Sequence, residues 1–149
     1  MVAFGGQSAT VVLPPTSSVS AAKSALERLP AGGGTPFAHS LLQAWQLIRS
    51  ERMKNSAVRP ILVVISDGEA NVPISSGTDP LEEVEALAEK ISRDQVPAIF
   101  IDVVAEQKGE SGMKRIAGKM QASYISIKNL TVSSVLEAVL NPNQGAVAP

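Results

Sequence analysis

Unbroken apolar runs and amphipathic stretches follow one another along most of this chain. Residues 61–65 are all apolar and mostly β-branched, a pattern typical of a strand buried on both faces of a parallel sheet. Further strands are predicted by apolar runs at residues 1–4, 9–13, 97–104 and 122–127. Apolar positions at helical spacing predict helices at residues 18–29, 36–53, 80–93, 112–120 and 131–140. This alternation predicts an α/β fold, a Rossmann-like and mostly parallel sheet with helices on both faces.

The ends of the chain differ from its middle. The first two strands are short and are joined by residues 5–8, which predicts a hairpin. A length of 149 residues corresponds to one domain, which we place at residues 1–140. Residues 141–149 show no periodicity and are predicted to form a flexible C-terminal tail.

Composition and charge exclude several kinds of site. The chain has no cysteine, which excludes disulfides, zinc–thiolate sites and cysteine catalysis. His39 is the only histidine, so a multi-histidine metal site is excluded, and we expect this side chain to pack or to lie at the surface. The net charge is −1 with both signs mixed, so nothing predicts a nucleic-acid partner. No apolar run is long enough to span a membrane.

Two loops carry residues suited to ligand binding. Asp67 follows the strand at residues 61–65 and therefore falls at its carboxyl end, the edge where open α/β sheets bind ligands. Its carboxylate, beside Ser66 and Gly68, suits a hard cation, although capping of the turn would also explain it. The second loop, Gly-Gly-Gly-Thr-Pro at residues 32–36, predicts a tight turn with Thr35 as the N-cap of the next helix.

Other candidate sites are weaker. The glycine loop lacks the lysine and spacing of a P-loop and does not match GxGxxG, which disfavours a nucleotide site. Asp102 lies within a predicted strand, so we expect a paired or edge carboxylate rather than a ligand. The acidic residues Glu82, Glu83 and Glu85 fall in the first turns of a helix, where the helix dipole favours them, and predict a solvated face.

The two loops together resemble the von Willebrand factor A, or integrin I-like, family. The resemblance lies in residues 32–36 and in Val-Ile-Ser-Asp-Gly-Glu-Ala-Asn at residues 64–71. That family builds a metal-ion-dependent adhesion site from three loops, which carry Asp-x-Ser-x-Ser, a threonine and an aspartate. By resemblance, Thr35 and Asp67 are the metal ligands from the second and third loops, and Ser66 and Glu69 support them. The chain is still more similar to the C-terminal domain of the magnesium-chelatase D-subunit family, over residues 1–140.

One motif of the family is missing. No Asp-x-Ser-x-Ser occurs in the chain, so we expect a partial domain, truncated at the N-terminus, that begins at the family's second strand. Mg²⁺ is the implied cofactor, and its binding should be weak because an incomplete site offers few of the oxygens that the ion requires. The absent central strand would leave open sheet edges, which predicts poor stability, self-association or closure of the gap.

The resemblance also implies a function. It predicts a non-catalytic interaction module that links the ATPase subunit to the porphyrin-binding subunit in a ligase complex, the magnesium chelatase of chlorophyll biosynthesis. The expected compartment is the cytoplasm, or the plastid stroma in a eukaryote. A module of another chelatase or of an adhesion protein is an alternative. A small metal-dependent hydrolase is a further one, against which the absence of a GxSxG motif and of paired histidines argues.

Overall fold

The computed structural model describes residues 1–29, 33–66, 70–103, 112–128 and 131–141. Its contacts divide the chain into two units. The first unit comprises Met1–Val58 and Ala70–Leu87, and the second comprises Arg59–Glu69 and Ala88–Pro149. None of the helices in the described ranges combines the length and the apolar composition needed to cross a membrane.

The first unit contains a hairpin and the helices that follow it. Its elements are β1 (Val2–Gly5), β2 (Ser8–Val11), α1 (Val19–Glu27), α2 (Phe37–Lys54) and the first half of α3 (Pro80–Arg93). The two strands pair antiparallel, which confirms the predicted hairpin. The first turns of α2 are buried because Phe37 packs edge-on against Phe4, with ring centroids 5.9 Å apart. His39 ties the helix to β2, since its Nδ1 accepts the Ala9 amide at 3.1 Å.

The second unit contains a parallel sheet. Its elements are β3 (Leu62–Ser66), the second half of α3, β4 (Ala98–Val103), α4 (Gly112–Lys119), β5 (Ser123–Ile127) and α5 (Val132–Leu140). The strands pair in the order β3-β4-β5, and both ladders are parallel. The central strand β4 is buried from Ala98 to Asp102, as the unbroken apolar run predicts. The predicted α/β fold is therefore confirmed.

The burial predicted for the first parallel strand was wrong. In β3, Leu62 and Val64 are buried, but Val63 and Ile65 are 38% and 39% exposed. Ile61 lies before the strand and is also exposed. Within the described ranges β3 pairs only with β4 and is therefore an edge strand of its sheet, and an edge strand receives less cover than a central one. An apolar run alone does not distinguish an edge strand from a central one.

The register aligns three polar residues at the carboxyl end of the sheet. Ser66 of β3 pairs with Asp102 of β4, and Asp102 pairs with Ser126 of β5. Ser66, Asp102 and Ser126 therefore form one row across the three strands. We refer to these three residues as the polar row.

Candidate functional site

The backbone amide and the backbone carbonyl of Thr35 both form hydrogen bonds with a residue far along the chain. The Thr35 amide donates to Asn71 Oδ1 at 2.6 Å, and the Asn71 amide donates back to the Thr35 carbonyl at 3.3 Å. This pair of hydrogen bonds fixes the Thr35 backbone by a contact 36 residues away in sequence. We call the pair the Thr35–Asn71 clasp. Asn71 was not predicted from the sequence to be a positioning residue.

The prediction that Thr35 caps α2 was wrong. The helix begins at Phe37, and Pro36 occupies the N-cap position without a side-chain hydrogen bond. Pro36 has φ −76° and ψ 63°, and the Phe37 amide donates to the Thr35 carbonyl at 2.8 Å, which together define an inverse γ-turn. Because the backbone makes this turn, the Thr35 hydroxyl is not needed as a cap. It forms no hydrogen bond among the described residues and can accept a ligand.

The glycines before Thr35 allow close backbone packing. A Cβ on Gly34 would lie 2.6 Å from the Gly6 carbonyl oxygen and 2.6 Å from Val72 Cγ2. Gly33 has φ +102°, and a Cβ there would lie 2.8 Å from the Gly6 amide nitrogen. These two glycines are therefore required because the loop passes against the hairpin turn of β1 and β2. This packing accounts for both glycines without a phosphate ligand.

The segment that carries Asn71 is anchored by α3. Glu83 accepts the amides of Ile74 at 2.5 Å and Ser75 at 2.9 Å, and the Thr78 hydroxyl at 2.7 Å. Burial raises the pKa of Glu83, but these hydrogen bonds to its charged form outweigh that effect, so the pKa lies below its ordinary value. Asp79 is the N-cap of the same helix, as predicted from the sequence, since its Oδ1 accepts two amides of the first turn. Glu83 therefore organises a loop, whereas the sequence predicted only a solvated face.

Of the remaining predicted site residues, Ser66 alone falls within the described part of the chain. Ser66 is the last residue of β3. Asp67 and Glu69, predicted as a metal ligand and its supporting carboxylate, lie outside the described residues. Thr35 is placed in the first unit and Ser66 in the second.

Asp102 is buried at the carboxyl end of β4. The residue is 1% exposed, and its Oδ2 accepts the Tyr124 hydroxyl at 2.6 Å. Its Oδ1 is buried and has no hydrogen-bond partner among the described residues. Its position within a predicted strand disfavoured Asp102 as a ligand. The signal that could have found it is its count from the strand start, since Asp102 is the fifth residue of β4 as Ser66 is the fifth of β3.

The polar row offers the type of donor that a hard cation prefers. Serine and aspartate oxygens suit Mg²⁺, and an orphaned buried carboxylate oxygen on Asp102 fits a missing positive partner. Within the described ranges, no group of three or more histidine, cysteine or acidic side chains could hold a metal ion. The polar row thus contributes one carboxylate and two hydroxyl oxygens, which is fewer than the six ligands of an octahedral ion.

Comparisons with known proteins identify relatives over nearly the whole chain. A family model described as the von Willebrand factor type A domain matches residues 1–69. The "Magnesium-chelatase 67 kDa subunit" of Chlorobaculum parvum is 33% identical over 151 residues, covering 95% of this chain and 24% of that protein. An uncharacterised protein of Methanocaldococcus jannaschii is 33% identical over 138 residues, covering 92% of this chain and 78% of that protein.

A solved structure supports the same fold. The crystal structure of the SpRpn10 VWA domain superposes with a TM-score of 0.67 at 22% identity, and covers 99% of this chain and 74% of that chain. At this identity the likeness concerns the fold alone. The chain spans about a quarter of the length of the curated chelatase subunit that it matches.

Proposed function

Because the chain belongs to the von Willebrand factor type A domain family, we propose that it serves as a non-catalytic protein-interaction module of a magnesium-chelatase D subunit. The observation that carries this proposal is the 33% identity with a magnesium-chelatase subunit across 95% of the chain. The matched region is long enough to include both loops, at residues 32–36 and 64–71.

In the proposed role, the module links an ATPase subunit to a porphyrin-binding subunit. The complex inserts Mg²⁺ into protoporphyrin IX during chlorophyll biosynthesis, in the cytoplasm or the plastid stroma. That Mg²⁺ is cargo of the complex and differs from an ion held by the module itself. The module would position the two partners and would not carry out the insertion.

Thr35 and Asp67 are the proposed ligands of a resident Mg²⁺, with Ser66 and Glu69 supporting them. Two features of Thr35 favour this assignment, namely its hydroxyl without a described hydrogen bond and its backbone fixed by the Thr35–Asn71 clasp. A bound ion would supply a positive centre that takes a carboxylate oxygen from a partner protein. The chain's own contribution is to hold the threonine oxygen in place before the partner arrives.

Binding to purified partners tests the proposal. The chain would be immobilised and exposed separately to the ATPase subunit and to the porphyrin-binding subunit, in Mg²⁺ and in EDTA. We expect binding that requires Mg²⁺, is weakened about 10-fold by Thr35→Ala through loss of an oxygen ligand, and is retained by Thr35→Ser, which keeps the hydroxyl. Failure to bind either subunit under both conditions would refute the interaction role. Phosphate-ester turnover that Asp67→Ala abolishes would instead favour a hydrolase.

A further inference from the structure

We propose that Asp102 is a further metal-binding carboxylate, whose Oδ1 supplies an oxygen to a divalent cation at the carboxyl end of the parallel sheet. The inference deepens the proposed metal site and rests on it for the identity of the ion. It goes beyond that site because the sequence assigns its carboxylates to the loop after β3, whereas Asp102 comes from the neighbouring strand.

Asp102 lies near the carboxyl end of the central strand β4. Asp102 is paired in register with Ser66, the residue that ends β3, and with Ser126 of β5. The carboxyl ends of parallel strands form the edge where α/β sheets bind ligands. Asp102 therefore lies at the same end of the sheet as Ser66, although the sequence pattern places it inside a strand.

The Asp102 carboxylate is buried, and one of its oxygens has no described partner. Asp102 is 1% exposed, so water does not solvate its Oδ1 from the surface, and no described residue donates to that oxygen. None of the ion pairs described in the structure involves Asp102. A buried carboxylate oxygen requires a positive or donating partner, because burial without one is strongly unfavourable.

Tyr124 orients the Asp102 carboxylate. Its hydroxyl donates to Oδ2 at 2.6 Å, which fixes the orientation of the carboxylate and leaves Oδ1 as the open acceptor. Carboxylates that bind metals are commonly oriented by a hydrogen bond to their other oxygen in this way. The flanking serines of the polar row add neutral oxygens, the donor type that Mg²⁺ accepts together with water. Of the divalent cations, Mg²⁺ is therefore the one expected to bind Asp102.

The test measures Mg²⁺ binding by calorimetry on the full chain with no partner protein present. Asp102→Asn keeps the shape of the side chain and removes its charge, and we expect it to weaken Mg²⁺ binding at least 10-fold. Tyr124→Phe keeps the carboxylate but frees its orientation, and should weaken binding about 10-fold. Asp79→Asn is the matched control, because it also removes one carboxylate while asparagine still caps α3, and it should bind as the wild type does.

A second measurement needs no variant of Asp102. Mn²⁺, which accepts similar oxygen ligands, should broaden the NMR signals of Ser66, Asp102 and Ser126 before those of the other described residues of the second unit. The proposal is overturned if the wild type binds no Mg²⁺ up to about 10 mM, above the roughly 1 mM of weak protein cation sites. Unchanged affinity in folded Asp102→Asn, or broadening centred elsewhere, would also overturn it. None of these outcomes depends on the chelatase subunits, so failure here is distinguishable from failure of the interaction role.

Discussion

Replacing Gly34 with alanine tests whether close packing holds the loop that carries Thr35. The new Cβ would lie 2.6 Å from the Gly6 carbonyl oxygen and from Val72 Cγ2, so each atom must retreat by about 0.8 Å to reach an ordinary van der Waals contact of 3.4 Å. Val72 can move its side chain, but the Gly6 oxygen belongs to the backbone of a tight hairpin turn. The backbone contact therefore decides the outcome.

The expected cost follows from two opposing effects. Overpacking of this kind costs about 1–3 kcal/mol. Alanine also restricts the unfolded chain, which returns about 0.4–1 kcal/mol. Taking the middle of each range, the net destabilisation of Gly34→Ala should be about 1.3 kcal/mol. For a chain of this length, 1 kcal/mol corresponds to a fall of roughly 2–4 °C in the melting temperature.

Urea denaturation followed by far-UV circular dichroism measures this loss. Gly118→Ala is the matched control, because Gly118 lies within α4 and a Cβ there meets no atom within 4 Å. The same chemical change should stabilise the chain at that position by about 0.5–1 kcal/mol. If Gly34→Ala is as stable as the wild type, or if both variants shift in the same direction, the packing argument is refuted.

Three further variants test contacts around the first unit. Asn71→Ala removes the acceptor of the Thr35 amide and should destabilise the chain by about 0.5–1.5 kcal/mol, measured by urea denaturation. Glu83 has a lowered pKa in the folded chain, so its contribution to stability is present above the unfolded pKa near 4.5 and is lost as the pH falls through the folded pKa. Glu83→Gln should therefore flatten the loss of stability below pH 4.5 in thermal melts. His39→Phe removes the acceptor of the buried Ala9 amide and should cost about 1–3 kcal/mol, again by urea denaturation.

Each of these variants has a control. Asn71→Asp keeps an acceptor oxygen and should retain most of the stability, so equal losses in the alanine and aspartate variants would contradict the clasp. Glu82→Gln removes an exposed carboxylate of the same helical turn, and a pH profile that matches that of Glu83→Gln would show that general charge explains the effect. Gln43→Ala removes a neighbour of the other ring nitrogen of His39, and its cost should be the smaller one.

The elements of the fold were predictable because each is encoded locally. The helix α3 was predicted at its observed bounds, since Asp79 and Pro80 mark its start and apolar residues recur at helical spacing after them. The hairpin was equally clear from two short apolar runs around a glycine turn. In such cases the residues that form an element also mark its ends.

The positions of contacts between distant segments were not predictable in this way. Nothing in the sequence near Thr35 indicates that Asn71 binds its backbone or that Pro36 makes a γ-turn instead of entering the helix. The alignment of Asp102 with Ser66 at the carboxyl end of the sheet was not predictable for a related reason, because it depends on the register between two strands. Local patterns thus gave the elements, and pairing between elements set the chemistry of the site.

The γ-turn at Pro36 also has a thermodynamic consequence for association. Proline fixes φ, and the Thr35 carbonyl already accepts two amides, so the backbone at Thr35 is ordered when the chain folds. When a partner or ion binds the Thr35 hydroxyl, this loop then loses little backbone entropy. More of the contact energy therefore remains available as affinity. If Thr35 binds a partner or an ion as proposed, little reordering of this loop would accompany each binding event.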